Sequence, residues 1–568
     1  MGESVVQDGN AAIWYSPADF SANNGRPMGR QSAGSSFVRG FAHHAKVESL
    51  YCFSALESDA QDFARQTAAA VHPAKPVYWL PMDNPRTLSE AGCLFAFHPG
   101  LRDLAFLRRT CGQRAFSLCG ITHTLASAPA MDAIVDLLLA PMEPWDALIC
   151  TSSAGRQAVE KQWEFVSAYL AERLGAKPPV LPRLATIPLG INCSSFIPNT
   201  QNRMLWRQKL GIAEGDVAAL FLGRQSAHAK AHPEPMYLAL ERAAQRTSRR
   251  LHLIQAGWFD NQDIERSFMQ LAARLAPSVT MHFVTPLEGE TYRQIWSAAD
   301  FFLSLSDNIQ ETFGLTAVEA MAAGLPVVVS DWDGYRDTVR DGIDGFRIPT
   351  ISAPPGAGGD LAMRHALGMD RYDLYIGKAS KFVAVDIDAC AEACLRLAED
   401  AGLRRRMGDA GRRRAREVFD WSAIIPAYQA LWGELAAIRR QAKPEQIPVR
   451  LEALVDPWRL DPFLHFAGYS SDRLTSDYRV RLAPEGRAAL EAAYSSLYVA
   501  IAVRELPSKA EVAKLLQILA EADEWRVGDL LARVSAERRP YLFRGLVWLA
   551  KYGVVILRPG GGSQAGRA

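Results

Sequence analysis

Glu311-Thr-Phe-Gly-Leu-Thr-Ala-Val-Glu319-Ala-Met-Ala-Ala-Gly324-Leu-Pro326-Val-Val-Val-Ser330 decides how this chain is read. Two carboxylates with seven residues between them flank a small-residue turn that enters a short helix, which Gly324 stops before a β-branched strand. Upstream, Trp296-Ser-Ala-Ala-Asp300-Phe-Phe-Leu-Ser-Leu-Ser306 reads as a helix end, an aspartate and a buried apolar strand. The motif therefore lies beyond the carboxyl end of a strand, where open α/β sheets bind ligands. Free N–H groups at a helix start attract a diphosphate. Carboxylates on either side accept hydrogen bonds from hydroxyls but would repel phosphates placed among them. A nucleotide-sugar has this order of groups: hydroxyls, two phosphates, hydroxyls. A plainer reading of the same residues makes Thr316 and Glu319 a Thr-x-x-Glu capping box and Glu311 a solvated loop acid.

Alternation of short apolar strands with amphipathic helices extends in both directions from this motif, as in doubly wound parallel sheets. Candidate strands in the first half begin at Ala12, Ser49, Pro76, Cys93, Phe116, Ala147 and Ala185, and a second series starts near Val217 and ends in helices around 387–437. Asn199 to Met204, polar and following Pro198, reads as the linker. The fold class is α/β: two Rossmann-like domains facing a cleft, at 1–198 and 199–440, plus a mainly helical appendage at 441–568. Within that appendage, Trp525 to Leu557 reads as helix, helix, Gly553 stop and strand, an order similar to winged-helix modules. No Lys/Arg stripe dominates the candidate recognition helix, so an intramolecular or homo-oligomer contact is expected there rather than nucleic acid. The glycine-rich tail from Gly560 has a disordered composition.

At 568 residues the chain exceeds one core. Hydrophobic content of 49% with 22% charged residues is ordinary for a globular protein, and Lys+Arg 63 against Asp+Glu 62 gives no bulk attraction to nucleic acid. The N-terminus lacks the basic start and apolar run of a secretory signal, and no stretch is apolar and long enough to span a bilayer. The expected location is cytoplasmic. Eight cysteines with no Cys-x-x-Cys pair make no disulfide framework, and Cys390 and Cys394, one helical turn apart, read as a packed helix face rather than half a metal site.

Residues 215–432 resemble retaining glycosyltransferases of the GT-B fold, specifically glycosyltransferase family four. The resemblance is carried by Phe221-Leu-Gly223-Arg224 with Lys230, Leu253-Ile-Gln-Ala-Gly257, Val284-Thr-Pro-Leu-Glu, Ala299-Asp300, the Glu311 to Glu319 motif with Gly324-Leu-Pro326, Asp341-Gly342 with Asp344-Gly345-Phe346, and Phe419-Asp420-Trp421. It implies a hexosyltransferase of bacterial polysaccharide or glycoconjugate biosynthesis. Such an enzyme uses a UDP- or GDP-sugar and a glycan, lipid or protein acceptor, and retains anomeric configuration. By the resemblance, Glu311 accepts sugar hydroxyls, the backbone N–H groups of Phe313, Gly314, Leu315 and Thr316 meet sugar oxygens and the diphosphate, and Glu319 holds the ribose diol. Eight positions at ~1.5 Å rise span on the order of 12 Å, comparable with the reach from a hexose to a ribose. Arg224 and Lys230 would neutralise the departing diphosphate, and backbone near Gly257 and Val284 would meet the base. From the first domain come His123, matching the family's cleft histidine, and Gly29 in Pro27-Met-Gly29-Arg-Gln-Ser-Ala-Gly34, a loop whose glycine lets backbone approach a phosphate. Family members usually leave four residues between that Arg and Lys; here Gln225 to Ala229 make five.

No Asp-x-Asp metal motif is expected, because Asp331-Trp-Asp333 falls after a strand in the second domain. The expected cofactor is none, the leaving group being stabilised by fixed charge and helix dipole. Two alternatives stand: a GT-B-derived scaffold without catalysis, disfavoured by the acidic pair, and a nucleotide-sugar epimerase-like enzyme, disfavoured by Glu311, Glu319 and Arg224 together.

Overall fold

The computed structural model describes residues 9–20, 29–285, 289–443, 456–501 and 505–560. Pro27 and Met28, Pro286 to Glu288 and the tail beyond Gly560, on which expectations also fell, lie outside them. The described chain divides into a unit ending at Trp458 and a unit beginning at Arg459.

The first unit holds two parallel sheets. Strands β1 (Ala12–Trp14), β2 (Leu50–Ser54), β3 (Val77–Pro81), β4 (Cys93–Ala96), β5 (Ser117–Ile121), β6 (Ala147–Cys150) and β7 (Arg183–Thr186) are ordered β3-β2-β1-β4-β5-β6-β7. Strands β8 (Val217–Leu222), β9 (Leu251–Ala256), β10 (Thr280–Val284), β11 (Phe301–Ser304), β12 (Val327–Ser330) and β13 (Gly345–Ile348) are ordered β10-β9-β8-β11-β12-β13. β8 and β11 are buried along their whole length, as expected of central strands covered on both faces. In each sheet the order reverses beside the first strand, between β1 and β4 and between β8 and β11, the switch points at which open α/β sheets bind ligands. This is the two-domain α/β architecture implied by the GT-B resemblance.

Helices cover both faces. Those that matter below are α1 (Gly29–His44), α2 (Ser153–Leu174), α3 (Leu315–Ala322), α4 (Gly359–Ala366), α5 (Tyr372–Ser380) and α6 (Trp421–Gln441). Helices α4 and α5 form an insert bracketed by an antiparallel pair, β14 (Thr350–Ser352) with β15 (Val383–Val385). Helix α6, inside the range assigned from sequence to the second domain, returns to the first. Its Tyr428 and Trp432 rings meet Phe95 at 5.5 and 5.7 Å between centroids. At its start, Asp420 caps the helix by accepting from Ser422 N–H at 2.9 Å, and its other oxygen accepts from Cys193 N–H at 3.0 Å. Trp421 then lies between two glycines: a Cβ on Gly40 would come within 2.4 Å of the indole, and so would one on Gly190. Its ring N–H donates to Ser36 Oγ at 2.7 Å.

Two motif residues serve the sheets and not the site. Asp300 accepts from Ala218 N–H at 2.8 Å and pairs with Arg203 at 2.7 Å and Arg207 at 3.0 Å. Asp344, fully buried, pairs with Arg340 at 2.6 Å. In the first domain the fully buried Arg108–Asp146 pair has every carboxylate oxygen engaged, Asp146 also accepting from Leu118 and Glu143 N–H at 2.8 Å each.

The unit from Arg459 has β16 (Arg479–Leu482), α7 (Lys509–Leu519), β17 (Trp525–Arg526), α8 (Val527–Ala532), α9 (Arg539–Lys551) and β18 (Val555–Arg558) among its elements. Its sheet is ordered β17-β16-β18, antiparallel throughout, over a core of Val480, Leu515, Leu530 and Leu546. Helix, helix, glycine stop and strand follow the expected order, with Gly553 at φ 72. The central strand, however, is drawn from upstream, at Arg479–Leu482, where the sequence reading placed no element. No helix among the described residues is long and apolar enough to cross a membrane.

The Trp421 sandwich and the Arg108–Asp146 pair generate one expectation each for thermal unfolding of the full chain. Gly190→Ala drives a methyl into the indole and should cost about 1–3 kcal/mol. Asp146→Ala leaves a buried guanidinium uncompensated and should cost about 3–5 kcal/mol. An unchanged transition midpoint in either variant refutes the corresponding assignment.

Candidate active site

Loops that leave β8 and β11, the strands flanking the switch point, bring Lys230 and Glu311 together. The Lys230 ammonium donates to Glu311 Oε2, and the two side chains are 18% and 16% exposed. Glu311 Oε1 accepts from Gly314 N–H at 3.1 Å. Burial disfavours both charges, but mutual attraction outweighs it: Glu311 holds Lys230 above the ordinary lysine range, and Glu311 is itself held below the ordinary carboxyl range.

Gly314 is required by this turn. It takes φ 86, and a Cβ there would come within 2.0 Å of the buried Tyr335 ring, whose hydroxyl lies 3.2 Å from Ser304 Oγ. Helix α3 starts immediately after it, with Gly314 as N-cap and no side-chain cap, so the capping-box reading of Thr316 and Glu319 does not hold. Thr316 Oγ1 is buried without a hydrogen-bond partner among the described residues. Of the four N–H groups expected to face the donor, those of Phe313 and Gly314 turn onto Glu311. Those of Leu315 and Thr316 lie in the first helical turn, where no carbonyl of their own helix can reach them.

Glu319 Oε2 accepts from the Tyr292 hydroxyl at 2.6 Å. Burial pushes its carboxyl up to about 7, against the opposing effects of Tyr292 and Lys230. Tyr292 went unnoticed in the sequence, although Tyr292 and Trp296 stand one helical turn apart beside a motif aspartate.

Arg224 lies at the end of β8 and forks onto Asp260, at 3.1 Å for each bond, with its guanidinium 5.3 Å from the Trp258 ring centroid. Gly257, φ 152, ends β9 so close to Gly223 that a Cβ would fall 1.8 Å from the Gly223 carbonyl oxygen, and its N–H donates to Val284 O at 3.1 Å. The Gly257 and Val284 strand ends therefore join the Arg224 loop at one sheet edge. His228, within the longer Arg224 to Lys230 loop, packs against Gly377 of α5.

Across the cleft, His123 follows β5 and its ring meets Phe97 at 4.5 Å between centroids. Its neighbour Thr124 lies 3.1 Å from the Tyr372 hydroxyl of α5, and Ala126 packs with Ala229 and Ile376. Ser153 N–H, at the start of α2, donates to Asp337 Oδ2 at 2.5 Å. Helix α5 of the insert thus touches both the loop after β5 and the loop after β8, contacts no local pattern in residues 350–385 announced. Gly29 is the first residue of α1, beyond β1. Asp331 and Asp333 diverge: Asp331 lies 3.5 Å from Arg347 and 3.8 Å from Arg336, whereas Asp333 sits beside Glu311. Cys390 and Cys394 are both fully buried. Among the described residues no three His, Cys, Asp or Glu side chains converge as a metal site requires.

Three comparisons bear on this arrangement. The family model described as Glycosyl transferases group 1 matches residues 202–353, which contain Arg224, Lys230, Glu311 and Glu319. The D-inositol 3-phosphate glycosyltransferase of Geodermatophilus obscurus is 30% identical over 288 residues, 48% of this chain and 53% of that protein. That of Saccharomonospora viridis is 33% identical over 168 residues, 29% of this chain and 38% of that protein. The chain spans about half the length of the curated relatives it matches. Among solved structures, sucrose-phosphate synthase from Thermosynechococcus elongatus superposes with a TM-score of 0.47 at 19% identity, covering 75% of this chain and 99% of that one. Anabaena HepE, in complex with UDP and glucose, gives 0.45 at 16% identity, covering 77% and 100%. Residues 202–353 of this chain therefore match the family described as Glycosyl transferases group 1.

Proposed function

We propose that the protein transfers a hexosyl group from a nucleotide-sugar, a UDP- or GDP-sugar, to a glycan, lipid or protein acceptor, with retention at the anomeric carbon and without a metal ion. The observation that carries this reading is the Lys230–Glu311 pair at the β8/β11 switch point, one short helix away from the Glu319–Tyr292 pair. Glu311 holds sugar hydroxyls in this reading while charge develops at the anomeric carbon. Lys230 and Arg224 neutralise the diphosphate as it departs, each exchanging a carboxylate partner for phosphate oxygens. Leu315 and Thr316 N–H groups and the α3 dipole add to that stabilisation. Glu319 receives the ribose diol. The departing phosphate oxygen takes the proton of the acceptor hydroxyl on the same face, and His123 lines the acceptor side. Contacts between the domains exclude water from the donor.

Isothermal titration separates the two acids. Glu311→Ala should depress kcat strongly, because the contact is made as the glycosidic bond breaks. It should leave nucleoside diphosphate affinity nearly intact, since the bound diphosphate itself replaces Glu311 as the partner of Lys230. Glu319→Gln should weaken donor and diphosphate alike by roughly 1.5–3 kcal/mol. Equal losses of diphosphate affinity in both variants refute the assignment.

The raised Glu319 carboxyl gives the diphosphate affinity a pH dependence. Below about 7 the acid keeps its proton and accepts poorly from the ribose diol; above it the carboxylate is available. Affinity should therefore rise with pH through that value more steeply in the wild type than in Glu319→Gln, which lacks the titrating group. Parallel pH profiles count against the ribose role.

Turnover of an identified donor should survive EDTA, because the diphosphate finds fixed cations in Arg224 and Lys230. Loss of turnover restored by Mn²⁺ overturns the metal-independent reading.

A further inference from the structure

Three carboxyl groups surround the Lys230 ammonium. Glu311 holds the ammonium itself and Glu319 accepts from Tyr292, so each has a stated partner. Asp333, just beyond the carboxyl end of β12, is different. It takes φ 47, the one positive φ at a non-glycine residue among the described residues. A left-handed conformation costs an L-residue roughly 1–2 kcal/mol, less for aspartate when its side chain bonds locally. Helix capping does not offset that cost: the short helix Tyr335–Thr338 starts at Gly334 with no side-chain cap.

Position explains what the strain achieves. Gly334 presses on the Glu311 loop so closely that a Cβ would lie 2.4 Å from Phe313 Cα and 2.6 Å from Thr312 O. Asp333 is thereby fixed against the turn that carries Glu311. One of its carboxyl oxygens is served by Gly334 N–H, while Oδ2 is buried with no hydrogen-bond partner among the described residues. A buried polar atom without a partner is costly and calls for one. Phosphate is a poor candidate beside two acids. A sugar hydroxyl, donor and acceptor at once, suits a carboxyl group in either protonation state. Burial and the neighbouring Glu311 hold the Asp333 carboxyl well above the usual range, which leaves room for both roles.

We propose that Asp333 reads a hydroxyl of the transferred hexose through Oδ2 and so sets which epimer the donor site prefers. The inference rests on the donor-site reading above and adds to it a specificity residue outside the Glu311 to Glu319 motif.

Full-length wild type, Asp333→Gly and Asp333→Asn would be titrated with UDP, GDP, UDP-glucose, UDP-galactose and GDP-mannose. Glycine adopts φ 47 without strain, so the melting temperature of Asp333→Gly should equal or exceed that of the wild type, which establishes folding. Its affinity for the bare diphosphate should stay within about twofold. Its affinity for the preferred hexose conjugate should fall about 10- to 100-fold, with the preference between epimers narrowing. Asp333→Asn, which keeps an acceptor oxygen, should recover part of that preference. Persistence of epimer preference in Asp333→Gly, or parallel losses for bare diphosphate and conjugate, overturns the inference while leaving the donor site standing. Failure of the wild type to bind any of the five probes removes the donor-site reading and this inference with it.

Discussion

One indole holds the two Rossmann-like domains in register. Trp421 fills the space left by two missing side chains, at Gly40 on α1 and at Gly190 after β7, and the residue before it ties the same junction to Cys193. The backbone is bonded on both sides of this point, Ile191 N–H to Phe419 O at 2.8 Å and Trp421 N–H to Ile191 O at 3.1 Å. Close-packed contacts of this kind transmit position because they cannot deform gradually. Distances from His123 on one sheet to Glu311 on the other are therefore set at a place that contains no chemistry. The polar contacts nearer the cleft, Ser153 with Asp337 and Thr124 with Tyr372, are few and small by comparison.

Electrostatically the donor side is self-neutralised. Both cations suited to a diphosphate already have carboxylate partners, Lys230 in Glu311 and Arg224 in Asp260. Removing a charge from water is expensive, and a partly buried lysine without a partner would shed its proton. On the proposed reading, the carboxylates keep the cations charged and oriented until phosphate oxygens replace them. Anions that offer only charge must then compete with a preformed ion pair, whereas a ligand that also gives hydroxyls to the displaced carboxylate satisfies both halves. In the proposed transferase, discrimination between a nucleotide-sugar and free phosphate follows from that exchange.

Much of this was legible in the sequence, for definite reasons. Interior strands of parallel sheets are buried on both faces and read as short apolar runs, so strands such as Ala147–Cys150 could be located from their residues. The Glu311 to Glu319 motif was legible because a turn that needs a glycine at φ 86 and a helix that needs a start leave little freedom in the residues between. What stayed hidden depends on contacts distant in sequence. Helix α6 has the same amphipathic pattern whichever domain it covers. The insert of α4 and α5 reads as ordinary helices, and only Tyr372 and Ile376 touching Thr124 and Ala126 join it to the loop after β5. Strand β16 is four residues long and two of them are arginine, so no hydrophobic run marks it. Asp333, set aside as a loop residue after a strand, stayed without a role because its letters do not encode a left-handed backbone.

The return of α6 to the first sheet also constrains how the protein is made. Ser36 waits for the indole of Trp421, 385 positions later, before its partner exists. While a ribosome is still producing the second sheet, the first exposes the aromatic face of Phe37, Phe41 and Phe95 to solvent. Non-local closure of this kind slows folding and lengthens the time during which apolar surface can aggregate. The nascent first domain thus stays open until α6 arrives, and the second domain is the half that can complete its own core as it emerges.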